Sequence, residues 1–209
     1  MIEEQLTLAV LAGGRGSRMG GVDKASLIVG GRTLLDRQLA AAGPILHEAL
    51  VIANDDRLAG DGRFRVVLDP DPHAGVLPAL LAALEAATSP YLLLLACDMP
   101  FVHRDVVSLL VEMIQDFDAV VPFVDGHLQP MLAVYRVEAC KSAIRAALAR
   151  GDRRMISFLD DVNSTTVPMD KLSVVAPVEH CFFNINTPDD LAEAQRIYAD
   201  VRLKYTAGS

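Results

Sequence analysis

The sequence predicts an α/β fold in three layers (α/β/α), with helices on both faces of a mainly parallel, Rossmann-like twisted sheet. Three observations carry this. Apolar runs of five to seven residues alternate with longer amphipathic stretches across short polar turns, the pattern of successive β-α-β units. One run, Tyr91–Ala96 (YLLLLA), has no polar face, as a central strand covered on both sides requires. The first run, Leu6–Ala12, breaks directly into the glycines Gly13, Gly14, Gly16, Gly20 and Gly21. Glycines there free the loop to take positive φ and bring its N–H groups close to a ligand.

The elements follow in order. Leu6–Ala12 is the first strand and Gly13–Lys24 the loop. Thr33 caps a helix with Leu34, Leu35, Leu39 and Ala42 at helical spacing, ended by Gly43–Pro44. Ala49–Ala53 and Phe64–Leu68 are buried strands ending at Asn54 and Asp69, with the polar loop Asn54–Arg63 between them. Val76–Ala87 is a helix opened by Gly75, with Pro78 tolerated in its first turn. After Tyr91–Ala96 comes Cys97–Asp98–Met99–Pro100, then an amphipathic helix over Arg104–Gln115 and a strand over Ala119–Val124. Gln129–Arg136 reads as a strand, Val137–Arg150 as a helix and Arg154–Val162 as a short helix. Thr165–Pro168 and Cys181–Ile185 read as strands. Pro188–Val201 is the last helix, capped by Thr187, with Asp189 and Asp190 at its positive end and a frayed tail at Tyr205–Ser209. No repeat or linker divides residues 1–209, so a single domain is expected.

Composition narrows the function. A chain that is 52% hydrophobic and 22% charged is globular. A net charge of −8 disfavours nucleic acid as a partner, and the lack of tryptophan disfavours base-stacking surfaces. Cys97, Cys140 and Cys181 show no metal-ligand spacing and read as reduced thiols. The acidic start MIEEQL is unlike a signal peptide. No uncharged apolar run reaches the ~20 residues of a membrane span. A soluble, cytoplasmic protein with no membrane partner is expected.

In open α/β sheets, ligands bind beyond the carboxyl ends of the strands. Four strands here end at polar or glycine positions: Gly13/Gly14, Asn54, Asp69 and Asp98. Asp69 alone reads as a turn residue; the coincidence of four carries the argument. Asp98 follows a fully apolar strand, where a carboxylate calls for a cation, and Mg²⁺ takes one or two carboxylates plus phosphate oxygens and water. Capping of the segment after Pro100 is the alternative role. Arg15, Arg18 and Lys24 among the glycines point to a polyphosphate ligand, although Arg15 alone reads as a solvated loop cation. The loop fails two familiar patterns. Gly21–Val22–Asp23–Lys24 is not the GK[ST] of a P-loop, and Met19 breaks GxGxxG.

With one added glycine, Gly21, it does fit LAGG-x-x-x-RMG-x-DK, through Leu11–Gly14, Arg18–Gly20 and Asp23–Lys24. Cys97–Asp98–Met99–Pro100, Gln129–Pro130–Met131 with Ala133 and Tyr135, and Phe183–Asn184–Ile185–Asn186–Thr187–Pro188 with Asp190–Leu191 follow in order. The set resembles the molybdenum cofactor guanylyltransferases, nucleotidyltransferases of the GT-A-like fold. That resemblance implies transfer of GMP from GTP to the terminal phosphate of molybdopterin, with Mg²⁺ as cofactor. It implies guanine- and phosphate-side contacts at Leu11, Ala12, Gly13 and Gly14, and a phosphate lysine at Lys24 beside Arg18. It also implies nucleotide contacts at Asn54 and Asp69, magnesium on Asp98 and pterin contacts at Asn184 and Asn186. Molybdopterin-handling proteins are implied as partners.

One segment departs from the family pattern. Gly75–Val76–Leu77–Pro78–Ala79 stands where GPLAG is common, next to the nucleotide in the family. A cytidylyltransferase acting on the same pterin, a sugar-phosphate nucleotidyltransferase and a non-catalytic nucleotide-binding regulator are the alternatives.

Overall fold

The computed structural model describes residues 5–13, 23–43, 46–72 and 74–206, with side chains as far as Val201. Glycines 14, 16, 20 and 21, Arg15 and Arg18 lie outside the described residues.

The first half is a run of parallel units. β1 (Leu6–Leu11) lies between β4 (Glu48–Ala53) and β6 (Tyr91–Ala96), and β5 (Arg65–Leu68) flanks β4; all three contacts are parallel. α1 (Leu34–Ala42) and α2 (Val76–Ala86) make the crossovers. Thr33 Oγ1 accepts from Asp36 N at 3.0 Å, the N-cap its sequence position calls for. Between β1 and α1 lie a 3-10 turn at Lys24–Ser26 and a small hairpin of β2 (Ile28–Val29) and β3 (Arg32–Thr33), which the sequence pattern did not signal.

The second half is mixed. α3 (Arg104–Met113) leads to β7 (Ala119–Val124), which turns through Asp125–Gly126 into the short β8 (His127–Leu128). β9 (Leu132–Arg136) then inserts antiparallel between β6 and β7. α4 (Val137–Ala149) returns the chain to β10 (Ser164–Pro168), parallel to β7 at the sheet edge. α5 (Met169–Val175) and α6 (Pro188–Thr206) complete the described chain. The sheet runs β10-β7-β9-β6-β1-β4-β5, with β8 beside β7. No described helix is long and apolar enough to cross a membrane.

Side-chain alternation builds one core on each face. Leu8, Val10, Val51, Leu93 and Leu95 pack under α1 and α3, with Leu34, Val106 and Leu110. Ala9, Leu50, Ile52, Leu92 and Leu94 pack under α2 and α4, with Leu80, Leu84 and Ile144. Leu92 to Leu95 are fully buried, so β6 is the covered central strand that its sequence predicts.

Four expectations need correcting, one in the first half and three in the second. β5, expected to be a buried strand, is an edge strand with Arg65 and Leu68 exposed, because only β4 pairs with it. The strand expected from Gln129 begins at Leu132, because Gln129–Met131 form a turn closed by Leu132 N onto Gln129 O at 3.1 Å. Pro130, with no N–H, suits a turn better than a ladder. Arg154–Val162 is a series of turns with one 3-10 helix at Leu159–Asp161. Cys181–Ile185 is not a strand. Its apolar residues Phe182, Phe183 and Ile185 are core plugs packed on the α1/α3 face, a role that hydrophobicity alone does not separate from a buried strand.

Candidate active site

β1, β4, β5 and β6 point the same way, so their carboxyl ends share one edge of the sheet. A cleft of about 340 Å³ lies there, lined by Leu11, Gly13, Asp69, Gly75, Asp98 and Met131 among others. Its floor is the ends of the strands. Ala12 N donates to Ile52 O at 2.9 Å, Cys97 N to Leu11 O at 3.2 Å and Ala96 N to Met131 O at 2.9 Å. One wall is the first turn of α2. Gly75 is its N-cap with φ +98°, a conformation that favours glycine.

Gly13 is held by close approach. The Asn54 amide donates to the Gly13 carbonyl, and a Cβ on Gly13 would fall 2.7 Å from Asn54 Oδ1. The ends of β1 and β4 are thereby fastened together where the glycine loop departs. Asp69 lines the cleft and also closes an Asx turn, its Oδ1 accepting from Asp71 N at 3.0 Å. The turn role and the cleft position coexist.

The centre of the site is Lys24. Asp23 opens the 3-10 turn that carries it, accepting from Ala25 N at 3.0 Å. From there Lys24 Nζ reaches Asp98 Oδ2 at 2.8 Å and Asn186 Oδ1 at 2.9 Å. The Lys24 and Asp98 side chains are 12% and 21% exposed, too sheltered for a freely solvated surface pair. Two further bonds hold the surroundings of Asp98. The buried Gln38 of α1 donates to Met99 O at 2.6 Å, and Ile185 N donates to Asp98 O at 2.9 Å.

Asn186 is fixed from the other side. Asp190 Oδ2 accepts from Asn186 N at 2.9 Å and Thr187 N at 2.8 Å, while Thr187 Oγ1 accepts from Asp190 N at 3.2 Å. This reciprocal cap starts α6. The Asn186 N–H, followed by the Thr187 hydroxyl, holds the Asp190 carboxyl below its ordinary range.

Of the sequence-predicted residues, the structure brings Leu11, Gly13, Asp69 and Asp98 to one cleft, with Ala12 and Asn54 fastening its edge and Lys24 and Asn186 joined to Asp98. Asn184 stands apart. It is exposed, and its amide donates to Phe182 O at 2.9 Å. Gly14 and Arg18 lie outside the described residues. Sequence reasoning named Asp23 and Asp190 without giving them a positioning role and missed Gln38; the three aim Lys24, Asn186 and Met99. The signal for Asp190 was present in the Thr187-x-x-Asp190 spacing; Gln38 carried none.

Cys97 adjoins Asp98 but is no nucleophile. Burial, followed by the charges of Asp98 and Asp23, pushes its thiol well up. Burial likewise takes Cys140 to about 12 and Cys181 to about 11. The described residues contain no group of three His, Cys, Asp or Glu that could cage a metal. A lone carboxylate beside a lysine fits a metal that arrives with phosphate oxygens and water. The arrangement can therefore gather anionic groups around a cation and a carboxylate-held metal.

Comparison with known proteins agrees with this chemistry. The MobA-like NTP transferase domain matches residues 8–164. A probable molybdenum cofactor guanylyltransferase of Pelotomaculum thermopropionicum is 34% identical over 191 residues, 91% of this chain and 92% of that protein. The molybdenum cofactor guanylyltransferase of a Bradyrhizobium strain is 33% identical over 91% of this chain and 92% of that protein. Among solved structures, molybdopterin-guanine dinucleotide biosynthesis protein A of Archaeoglobus fulgidus superposes with a TM-score of 0.77. It is 29% identical over 93% of this chain and 99% of that one. The 2-C-methyl-D-erythritol 4-phosphate cytidylyltransferase of Thermus thermophilus, 23% identical over 90% of this chain and 96% of that one, shares the fold with a TM-score of 0.67. The chain belongs to the molybdenum cofactor guanylyltransferase family and is an enzyme of the nucleotidyltransferase class.

Proposed function

We propose that this enzyme transfers GMP from GTP to the terminal phosphate of molybdopterin and releases pyrophosphate. A phosphate oxygen of the pterin attacks the α-phosphorus of GTP. One P–O bond forms as the bond to the bridging oxygen breaks, and the electron pair leaves with pyrophosphate. Both reactants are anionic, so the chain's task is to bring them together against their repulsion. Lys24, bonded to the cleft residue Asp98 and to Asn186, is the observation that carries this reading.

Leu11, Ala12, Gly13 and Gly14, with Asn54 and Asp69, are assigned to the nucleotide. Lys24 and Arg18 are assigned to its phosphates and Asn184 to the pterin side. Asp98 would hold Mg²⁺, which when bound would supply positive charge to the phosphates. The acceptor oxygen is already ionised, so the site needs no general base, and the protonated Cys97 is consistent with a route free of a covalent enzyme intermediate. Residues 1–209 act as one nucleotidyltransferase domain in the cytoplasm, handing product to molybdopterin-handling proteins.

The alternative base is cytidine, kept in view because Gly75–Ala79 departs from the family's usual segment and Gly75, Val76 and Ala79 line the cleft. Pyrophosphate release with molybdopterin as acceptor separates the two. Turnover with GTP, and not with CTP, ATP or UTP, is expected. Turnover with CTP alone would replace guanylyl by cytidylyl transfer, and no turnover with any nucleotide would remove the catalytic reading.

A further inference from the structure

We infer that Asn186 is a positioning residue for Lys24, acting on the nucleotide side of the reaction, rather than a group that serves only the pterin. The inference rests on the nucleotidyltransferase reading above and adds to it a link between the two ends of the chain.

A lysine ammonium has three N–H donors and no acceptor. Asp98 Oδ2 takes one at 2.8 Å and Asn186 Oδ1 takes a second at 2.9 Å. With two directions fixed, tetrahedral geometry fixes the third, and that one is left for an incoming anion. A lysine tied to Asp98 alone would still swing about that bond on its long stem, and holding it against a phosphate would cost rotamer entropy on binding. Because lysine only donates, Asn186 must present its oxygen. It accepts without adding negative charge beside the phosphate site.

Asn186 is built for this task. Its backbone is pinned by the Asp190 carboxylate, and its neighbour Ile185, fully buried, donates to the Asp98 carbonyl at 2.9 Å. The segment before α6 is thus fastened to the two residues that bracket the ammonium. Asn184, two residues earlier, has no such link and bonds within its own turn.

The test is nucleotide binding with no acceptor present, measured calorimetrically with GTP and Mg²⁺ on the full chain. Asn186→Ala is expected to weaken GTP binding roughly tenfold or more, the scale of one hydrogen bond to a charged group. Asn186→Asp keeps the acceptor oxygen but adds a negative charge next to the triphosphate, so it too is expected to weaken binding. Lys24→Ala weakens binding on its own, and adding Asn186→Ala to it is expected to change little, since the lysine that Asn186 aims is gone. Thermal unfolding of each variant reports that the fold is kept. Unchanged GTP affinity in Asn186→Ala, or an equal loss in the presence and absence of Lys24, would overturn the inference. Failure of the wild-type protein to bind GTP would instead overturn the reading on which it rests.

Discussion

The two halves of the sheet deliver their site residues by different means. On the β1, β4, β5 and β6 side, each parallel strand runs out of the core and presents a polar or glycine position at its end, so the register that buries Leu8, Leu50 and Leu93 also places Gly13, Asn54, Asp69 and Asp98. On the other side the chain is antiparallel at β9, folds back through β8 and reaches the site through an irregular segment before α6. There, position comes from a cap: the Asp190 carboxylate on the N–H groups of Asn186 and Thr187. One half is aimed by the ladder and the other by individual hydrogen bonds. The first should tolerate the loss of a single bond better than the second, except at the residues that do the chemistry.

Asp98→Ala carries the largest expected effect, a fall of about 10²–10³-fold in transfer rate with the fold intact by circular dichroism, the scale of losing one preorganised electrostatic group. A rate unchanged in Mg²⁺ would take Asp98 out of the mechanism. Next is Gly13→Ala, which sets a Cβ 2.7 Å from Asn54 Oδ1. The exposed Asn54 amide must swing aside and give up its bond to the Gly13 carbonyl, which is expected to cost about 1 kcal/mol of stability by denaturant melts and to weaken nucleotide binding. A neutral result would show that the β1–β4 junction can yield. Thr187→Ala tests the capped half. The loss of about 1 kcal/mol of stability should come with a higher KM for GTP, because the Thr187 hydroxyl holds Asp190, whose carboxylate anchors Asn186. A stability loss with KM untouched would break that coupling. Asn184→Ala, at an exposed amide bonded to Phe182, should change GTP binding by less than about twofold, within the small effects usual for surface changes.

The smallest effect concerns pH. Asp190 has its folded pKa lowered, first by the Asn186 N–H. Its contribution to stability is therefore full above the ordinary carboxylate value near 4 and is lost as pH falls through the folded value. Hydrogen exchange at Asn186 and Thr187 should stay protected from neutral pH to about pH 4 and open below it. Opening between pH 6 and 7 would contradict this assignment.

The same contrast explains what could be read from the sequence. Thr33, the all-apolar Tyr91–Ala96 and the four strand ends are local signals, and each parallel unit turns a local signal into a position. The insertion of β9 between β6 and β7 depends on pairing between distant segments that no window of sequence contains. Phe182, Phe183 and Ile185 read as a strand because core plugs and buried strands share one composition. The loop motif and the order of the later motifs pointed to the family. The bond from Lys24 to Asn186 spans most of the chain, and only the fold brings those residues together.

The account's central claim is that the bond broken lies at the α-phosphorus. Incubating the protein with molybdopterin, Mg²⁺ and GTP labelled at either the α- or the γ-phosphate, then separating the pterin product, tests it directly. The α-label is predicted in the pterin dinucleotide and the γ-label in pyrophosphate. The γ-label in the pterin product, or neither label there, would contradict the account.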